Sequence, residues 1–409
     1  MDSRSGREGG SGNTLMAPIH ILHVSHSIAR GGVEEYILTL LRRLDRRIFG
    51  QCFVCTPTVA RLIGRDAPDD VEVIPMAVTS PLNLGTAWKF ARILRQKDIG
   101  ILHSHQFRGS LFASPIGRLR GVPVVMETPH IREYWRTGRK GLKGSYAIDR
   151  MVARFVDQYV AVSLANARYL TEEKGIPAAK IRTIHFGSDL SRFDPGKPAT
   201  AVLRCSLGFA ESDVVLAVIG RLEPQKGHAV LLEALQKVRA AVPNVRLACI
   251  GEGRLRNELE TRTRDLGLGN AVRFVGFQKN IPEWLAMADI SVLPSFFEGL
   301  PLTAIESSAA GRPVIGTAVD GTPEVVLDGR TGILVPPGDA GALARAIREL
   351  SCDPALRHAM GEAGSQWVFQ HFSEDRFIRQ SEDLYLQLWA ASTKRALATR
   401  AVNATRGRR

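Results

Sequence analysis

Two successive series of short apolar runs, each run followed by a helical pattern, leave few ways to fold this chain. "IHILHVS", "QCFVCT", "VEVIPM", "IGILHSH", "PVVMETPH" and "QYVAVS" make the first series. "DVVLAVIGRL", "VRLACIGEG", "VRFVGF", "ISVLPS", "PVIGTA" and "GILVPP" make the second. Continuous apolar runs alternating with amphipathic stretches such as "VEEYILTLLRRL" are the pattern of parallel strands with helices packed around them. The predicted class is therefore α/β, with two Rossmann-like domains facing across a cleft. A chain of 409 residues is long enough for two such domains. The segment from Phe186 to Ala199, carrying Gly187, Pro195, Gly196 and Pro198, reads as the linker. The division expected is a disordered tail over 1–18, a first domain over 19–186 and a second over 187–367, then a terminal helix over 368–390 and a mobile basic tail over 391–409.

Ligands of open parallel sheets bind beyond the carboxyl ends of the strands, so the loops there are where chemistry is to be sought. The richest is "PSFFEGLPLTAIESSAAGRPVIGT". Glu298 follows a strand, and Glu306 lies inside a helix that starts near Pro301, where the free amides of Leu302 and Thr303 offer a seat for a diphosphate. A loop carboxylate can accept hydrogen bonds from sugar hydroxyls, and one inside the helix can take a ribose diol. By spacing alone, a solvent-facing Glu306 and a helix-capping Glu298 are the plainer reading. In "VIGRLEPQKGHAVLLEAL", Arg221 and Lys226 sit on a loop between strand and helix, where two cations can neutralise a departing diphosphate without a metal ion. Two exposed surface cations are the plainer alternative. No Asp-x-Asp pair stands on a loop to hold a divalent metal. "GEGRLRNE", around Gly251 and Gly253, starts like a dinucleotide fingerprint but has Arg256 at the third glycine position.

"GRLEPQKG", followed by "LPSFFEGLPLTAIESSAAGRPVIGTAVDGTPEVVLDGRTGILVPPGD", resembles glycosyltransferase family 4, retaining enzymes of GT-B fold. "IGEGRLRNELE", "VRFVGF" and the N-terminal "GGVEEYILTL" extend the resemblance from Ile19 to Trp389. It implies a hexosyltransferase that moves a sugar, with retention at the anomeric carbon, from a UDP or GDP donor to a saccharide or lipid-linked acceptor. Transfer would follow a front-face attack, with no cofactor and no metal. It implies that Glu306 grips the ribose, that Glu298 holds the sugar's hydroxyls and that Arg221 and Lys226 hold the diphosphate. Gly31 and Gly32 would approach the phosphates, Val275, Gly276 and Phe277 would border the base, and Gly299, Leu300, Leu302 and Thr303 would complete the donor site. His130 in "ETPHI" matches the family's active-site histidine, and His105 in "LHSHQ" is a candidate on the acceptor side, whereas His103 reads as structural. The terminal helix should cross back to the first domain. Two departures stand out: "HFGSD" at His185 to Asp189 where the family has Pro-Asn-Gly-Val-Asp, and Asp320 in place of one of two glycines. A sugar-nucleotide epimerase or phosphorylase of the same fold, or a non-catalytic nucleotide-sugar binder, is the alternative.

Composition adds a location and a partner. No apolar run approaches the roughly 20 residues that span a bilayer, and Met1 to Asn13 lacks a signal peptide's apolar core. The five cysteines are scattered, and Cys52 and Cys55 lie on a strand, so a cytoplasmic protein is expected. The net charge of +13 is concentrated in residues 1–195, where 28 Lys and Arg against 18 Asp and Glu give +10. Arg136, Arg139, Lys140 and Lys143, beside Tyr134 and Trp135, suit an anionic membrane surface, so peripheral attachment at the inner face of the cell membrane is the accompanying expectation. A solvated basic loop is the bland reading of the same residues. No nucleic-acid motif accompanies the charge.

Overall fold

The computed structural model describes residues 17–77, 83–134, 146–194 and 201–406. Its first sheet comprises β1 (Ile19–Ser25), β2 (Phe49–Cys55), β3 (Glu72–Pro75), β4 (Ile101–His105), β5 (Val124–Thr128), β6 (Gln158–Ala161) and β7 (Ile181–Thr183), in the order β3-β2-β1-β4-β5-β6-β7. The second comprises β8 (Val214–Ile219), β9 (Val245–Ile250), β10 (Val272–Gly276), β11 (Ile290–Leu293), β12 (Val314–Thr317) and β13 (Gly332–Val335), in the order β10-β9-β8-β11-β12-β13. Every strand pairing is parallel, which is why the central strands are apolar on both faces. In both sheets the order reverses beside the first strand, so the crevice at that reversal opens at the carboxyl ends of β1 and β4 in one domain and of β8 and β11 in the other.

Each sheet buries a hydrophobic cluster on either face. Cys52 and Cys55 point to opposite faces of β2, one into each of the first domain's clusters, so the two thiols cannot share a ligand. Phe186 belongs to the first domain's core and Leu190 to the second's, so the chain crosses between them. It returns at Ser373, between the helices Pro354–His371 and Glu374–Arg406, six residues later than 367. There the two crossings pair: the Ser188 amide donates to Phe372 O at 3.1 Å and the Glu374 amide to Ser188 O at 3.1 Å. Phe377, Ile378, Leu384 and Tyr385 then seat the last helix in the first domain's core. That helix does not stop at 390; its backbone stays helical to Arg406, through most of the stretch expected to be a mobile tail. No helix among the described residues is long and apolar enough to cross a membrane.

Candidate active site

The second domain supplies a helix start and a buried ion pair. Pro301 is the N-cap of the helix Leu302–Ala309, so the first amides, those of Leu302 and Thr303, lack intrahelical acceptors. Immediately before it, Glu298 is buried and its Oε1 accepts from Lys226 Nζ at 2.6 Å and from Ser295 Oγ at 2.6 Å. Lys226 ends a short turn, Pro224–Lys226, and reaches this position because Gly227 follows it in the left-handed region, φ 66°. A Cβ on Gly227 would overlap the carbonyl oxygen of Pro294, so the two loops touch where only glycine fits. Arg221 is exposed, with its guanidinium 3.5 Å from Gln225 Oε1. The two residues expected to hold different parts of a donor, Lys226 and Glu298, thus form one unit, with Arg221 beside it.

Glu306 lies one turn into the helix and is half-buried. Burial pushes its carboxyl up to about 7; the Arg192 charge opposes this and Glu35, from the first domain, adds to it. At the edge of the second sheet, Gly276 takes φ 76° and the Phe277 ring is 70% exposed, a free apolar face at the end of β10. Val275 is half-buried there, and its carbonyl accepts from Gln278 Nε2 at 2.9 Å. Gly251 and Gly253 have a packing role: Cβ atoms on them would overlap the carbonyl oxygens of Gly220 and Leu222.

The first domain meets this site along a tight seam. Gly31 is the extended N-cap of the helix Gly32–Arg43, and its amide donates to Glu34 Oε2 at 2.9 Å. Neither Gly31 nor Gly32 uses the left-handed region. A Cβ on Gly32 would lie 3.8 Å from Leu302 Cδ1, so this loop faces the start of the helix Leu302–Ala309. A Cβ on Gly299 would overlap the carbonyl oxygen of His130, itself strained at φ 58°. Leu300 and Leu302 pack against the cores of both domains.

Two residues that the sequence did not assign to the site tie the seam. Asp320 keeps the glycine-like conformation its position requires, φ 42°, which aspartate tolerates better than most residues. Its Oδ2 accepts from the Glu298 amide at 2.8 Å and its Oδ1 from the Tyr134 hydroxyl at 2.7 Å, while Tyr134 stacks on Phe297 with ring centroids 4.5 Å apart. Glu324 accepts from the amides of Leu164 at 2.8 Å and Ala165 at 3.0 Å and from His185 Nε2 at 2.8 Å. Burial alone would raise the Glu324 carboxyl, but those bonds outweigh it and hold the pKa below the usual value.

Behind His130 stand three more histidines, His23, His103 and His105, with ligand atoms within 4.8 Å of one another. His105, expected on the acceptor side, is fully buried and cannot touch an acceptor: Nδ1 is 3.1 Å from His130 Nε2 and Nε2 is 3.2 Å from His23 Nδ1. The correction has a simple cause, since β4 is a central strand and the helix Glu374–Arg406 covers that face. His103 bonds Tyr385 at 2.8 Å and Thr128 at 2.8 Å. Five of the six ring nitrogens of the triad are thus engaged, and a metal ion there would have to displace those bonds. Arg136, Arg139, Lys140 and Lys143 lie outside the described residues.

Two parallel-sheet α/β domains, meeting at a seam that holds a helix start, a Lys–Glu pair and a histidine, form a GT-B architecture. The profile of Glycosyl transferases group 1 matches residues 201–367 and that of Glycosyltransferase Family 4 matches residues 30–192. The chain belongs to glycosyltransferase family 4. It is 30% identical over 360 residues to a GDP-mannose-dependent alpha-(1-6)-phosphatidylinositol monomannoside mannosyltransferase of Mycolicibacterium smegmatis, covering 84% of this chain and 91% of that one. It is 32% identical over 376 residues to a D-inositol 3-phosphate glycosyltransferase of Kribbella flavida, covering 81% and 85%. Among solved structures, HepE of Anabaena in complex with UDP superposes with a TM-score of 0.77 at 20% identity, over 90% of this chain and all of that one.

Proposed function

We propose that this protein transfers a hexose from a nucleoside diphosphate donor to a saccharide or lipid-linked acceptor, with retention, in the synthesis of a cell-surface polysaccharide or glycolipid. The observation that carries the reading is the close approach of Gly299 to the His130 carbonyl, with the Lys226–Glu298 pair just before it and the helix Leu302–Ala309, bearing Glu306 one turn in, just after. The helix amides and the cations Arg221 and Lys226 suit a diphosphate. Glu306 suits the ribose diol, and the open face of Phe277 suits a base. Relatives named for GDP-mannose, for phosphatidylinositol mannoside and for lipopolysaccharide core synthesis support a sugar nucleotide and a lipid-linked or polymeric acceptor. The solved UDP complex supports a nucleoside diphosphate. Retention rests on family membership. Mass spectrometry of products from a nucleotide-sugar panel, offered lipid and saccharide acceptors, tests the assignment. A new glycosidic bond is expected; an epimerised donor, or binding without turnover, would overturn it.

The ribose clamp predicts a pH dependence. Because the Glu306 carboxyl is raised to about 7, the acceptor form is gained as pH rises through that value. Donor affinity, measured by calorimetry with a nucleotide sugar whose phosphates do not titrate there, should tighten from pH 6 to 8 and level off above. Glu306→Gln should bind about 1.5–3 kcal/mol more weakly, the scale of a charged hydrogen bond, and show no such rise.

Fixed cations in place of a metal predict that turnover survives excess EDTA, and restoration of lost activity by magnesium would contradict this. A peripheral membrane location is proposed from the charge of the first domain. Reversing Arg136, Arg139, Lys140 and Lys143 to glutamate should release the protein from anionic vesicles in co-sedimentation at low salt, and equal binding by both proteins would reduce the stretch to a solubility feature.

A further inference from the structure

Strand register brings together a row of polar side chains that donor chemistry does not use. Ile21 of β1 pairs with Gln51 of β2, and His23 pairs with His103 of β4. Alternation along the strands then places Gln51, His23, His103 and His105 on one face of the sheet. The row continues to the seam through His23 Nδ1 to His105 Nε2 at 3.2 Å and His105 Nδ1 to His130 Nε2 at 3.1 Å. Burial holds the pKa values of His23, His105 and His130 below the ordinary histidine value, so each ring is neutral and carries a single N–H. Each N···N contact therefore has one donor and one acceptor, and the whole row must run in one direction or the other.

The end distant from the seam decides which. Nε2 of His23 and Oε1 of Gln51, on neighbouring strands of this face, are both buried and neither has a hydrogen-bond partner of its own among the described residues, so each is the complement the other lacks. The Gln51 amide nitrogen donates to Leu41 O at 3.5 Å, which leaves its oxygen for His23. Gln51 also supports the protonated form of His23 against burial, as an accepting oxygen does. With a proton on His23 Nε2, Nδ1 of His23 accepts from His105 Nε2–H, and Nδ1 of His105 accepts from His130 Nε2–H. The opposite direction would turn two lone pairs, those of Gln51 and His23, toward each other in a site without water access.

We propose that Gln51, His23 and His105 are positioning residues that fix the tautomer of His130, leaving its Nδ1 as a hydrogen-bond acceptor for a sugar hydroxyl at the domain seam. The service to transfer rests on the reading that His130 lies beside the reacting sugar; the tautomer itself does not. His130 Nδ1 makes no hydrogen bond to the described residues, and Gly299 against the His130 carbonyl holds the backbone that carries the ring.

The test uses the full chain labelled with ¹⁵N in its histidine rings, with signals assigned by His130→Ala. Long-range ¹H–¹⁵N spectra without substrate should show His130 protonated at Nε2. Gln51→Met, which removes the oxygen and nearly keeps the volume, should shift His130 toward a tautomer mixture. It should also lower kcat by about tenfold, the scale of one misdirected hydrogen bond, with donor affinity within twofold and little change in Tm. A native spectrum with the proton on Nδ1, or a Gln51→Met spectrum that superposes on the native one, would overturn the chain. If Gln51→Met fails to fold, the native spectrum alone still decides the direction. A shifted tautomer with unchanged kcat would overturn its service to transfer while leaving the chain in place.

Discussion

Lys226→Ala is expected to lower kcat by about 10²- to 10³-fold, the cost of removing one preorganised group that stabilises charge in the transition state. Two effects combine. On the proposed reading a departing diphosphate loses a fixed cation, and Glu298, only 6% exposed, loses the ammonium 2.6 Å from its carboxylate. Ser295 still donates to Glu298, so the loop keeps one anchor and the stability cost should stay at about 1–3 kcal/mol. Lys226→Arg restores charge but not shape, because a planar fork cannot fill the place of a compact ammonium against both Glu298 and a phosphate. It should recover only part of the rate. Steady-state kinetics with circular dichroism and thermal unfolding separate the two effects. A kcat within tenfold of native for the alanine variant would take Lys226 out of the leaving-group site.

Gly299→Ala should cost about 10²-fold in kcat, the effect of displacing reacting groups by about 1 Å. Its backbone φ is not in the left-handed region, so alanine is conformationally acceptable there. The added methyl instead meets the His130 carbonyl oxygen, which is backbone and cannot swing aside. A Cβ at Gly321 would likewise overlap the Gly299 carbonyl oxygen, so this loop is closely backed by backbone and has little room to retreat before the seam parts. Each domain keeps its own core, and Tm should change little. Gly269→Ala, where a Cβ meets nothing within 4 Å, is the neutral control. Native turnover by Gly299→Ala would mean that the domains do not meet here during transfer.

The architecture was legible because burial on both faces writes a parallel strand as an unbroken apolar run, and twelve such runs correspond to strands of the two sheets. The missed strand, β7, is a three-residue edge with no such run, so hydrophobicity gave no signal. The last helix runs beyond the expected end for a different reason. "STKRALATRAVNATR" is basic, as a solvated tail is, yet it lacks Gly and Pro and is rich in Ala and Arg, both good helix formers. Within the site, Glu298, Glu306, Arg221 and Lys226 could be named from local spacing and family likeness. Their pairing could not, since Lys226 and Glu298 are 72 residues apart. His23 read as one more residue of an apolar strand, and only the pairing of β1 with β4 sets its ring against His105. Asp320 stands out in the sequence as a departure from glycine, but its bond to Tyr134 depends on how two domains meet, which no local pattern encodes.

The paired crossings at Ser188 and Ser373 bear on how such a molecule could open. Two bodies joined by one flexible tether retain three rotations relative to each other. Two tethers lying side by side and hydrogen-bonded to one another remove most of that freedom and leave rotation about the line they share. Glycine at 187, where a Cβ would overlap the Ser373 carbonyl oxygen, lets the two strands of this pivot lie in contact. Any separation of the seam at Gly299 and His130 would then be a swing about that axis, returning the same pair of surfaces to the same register at each closure.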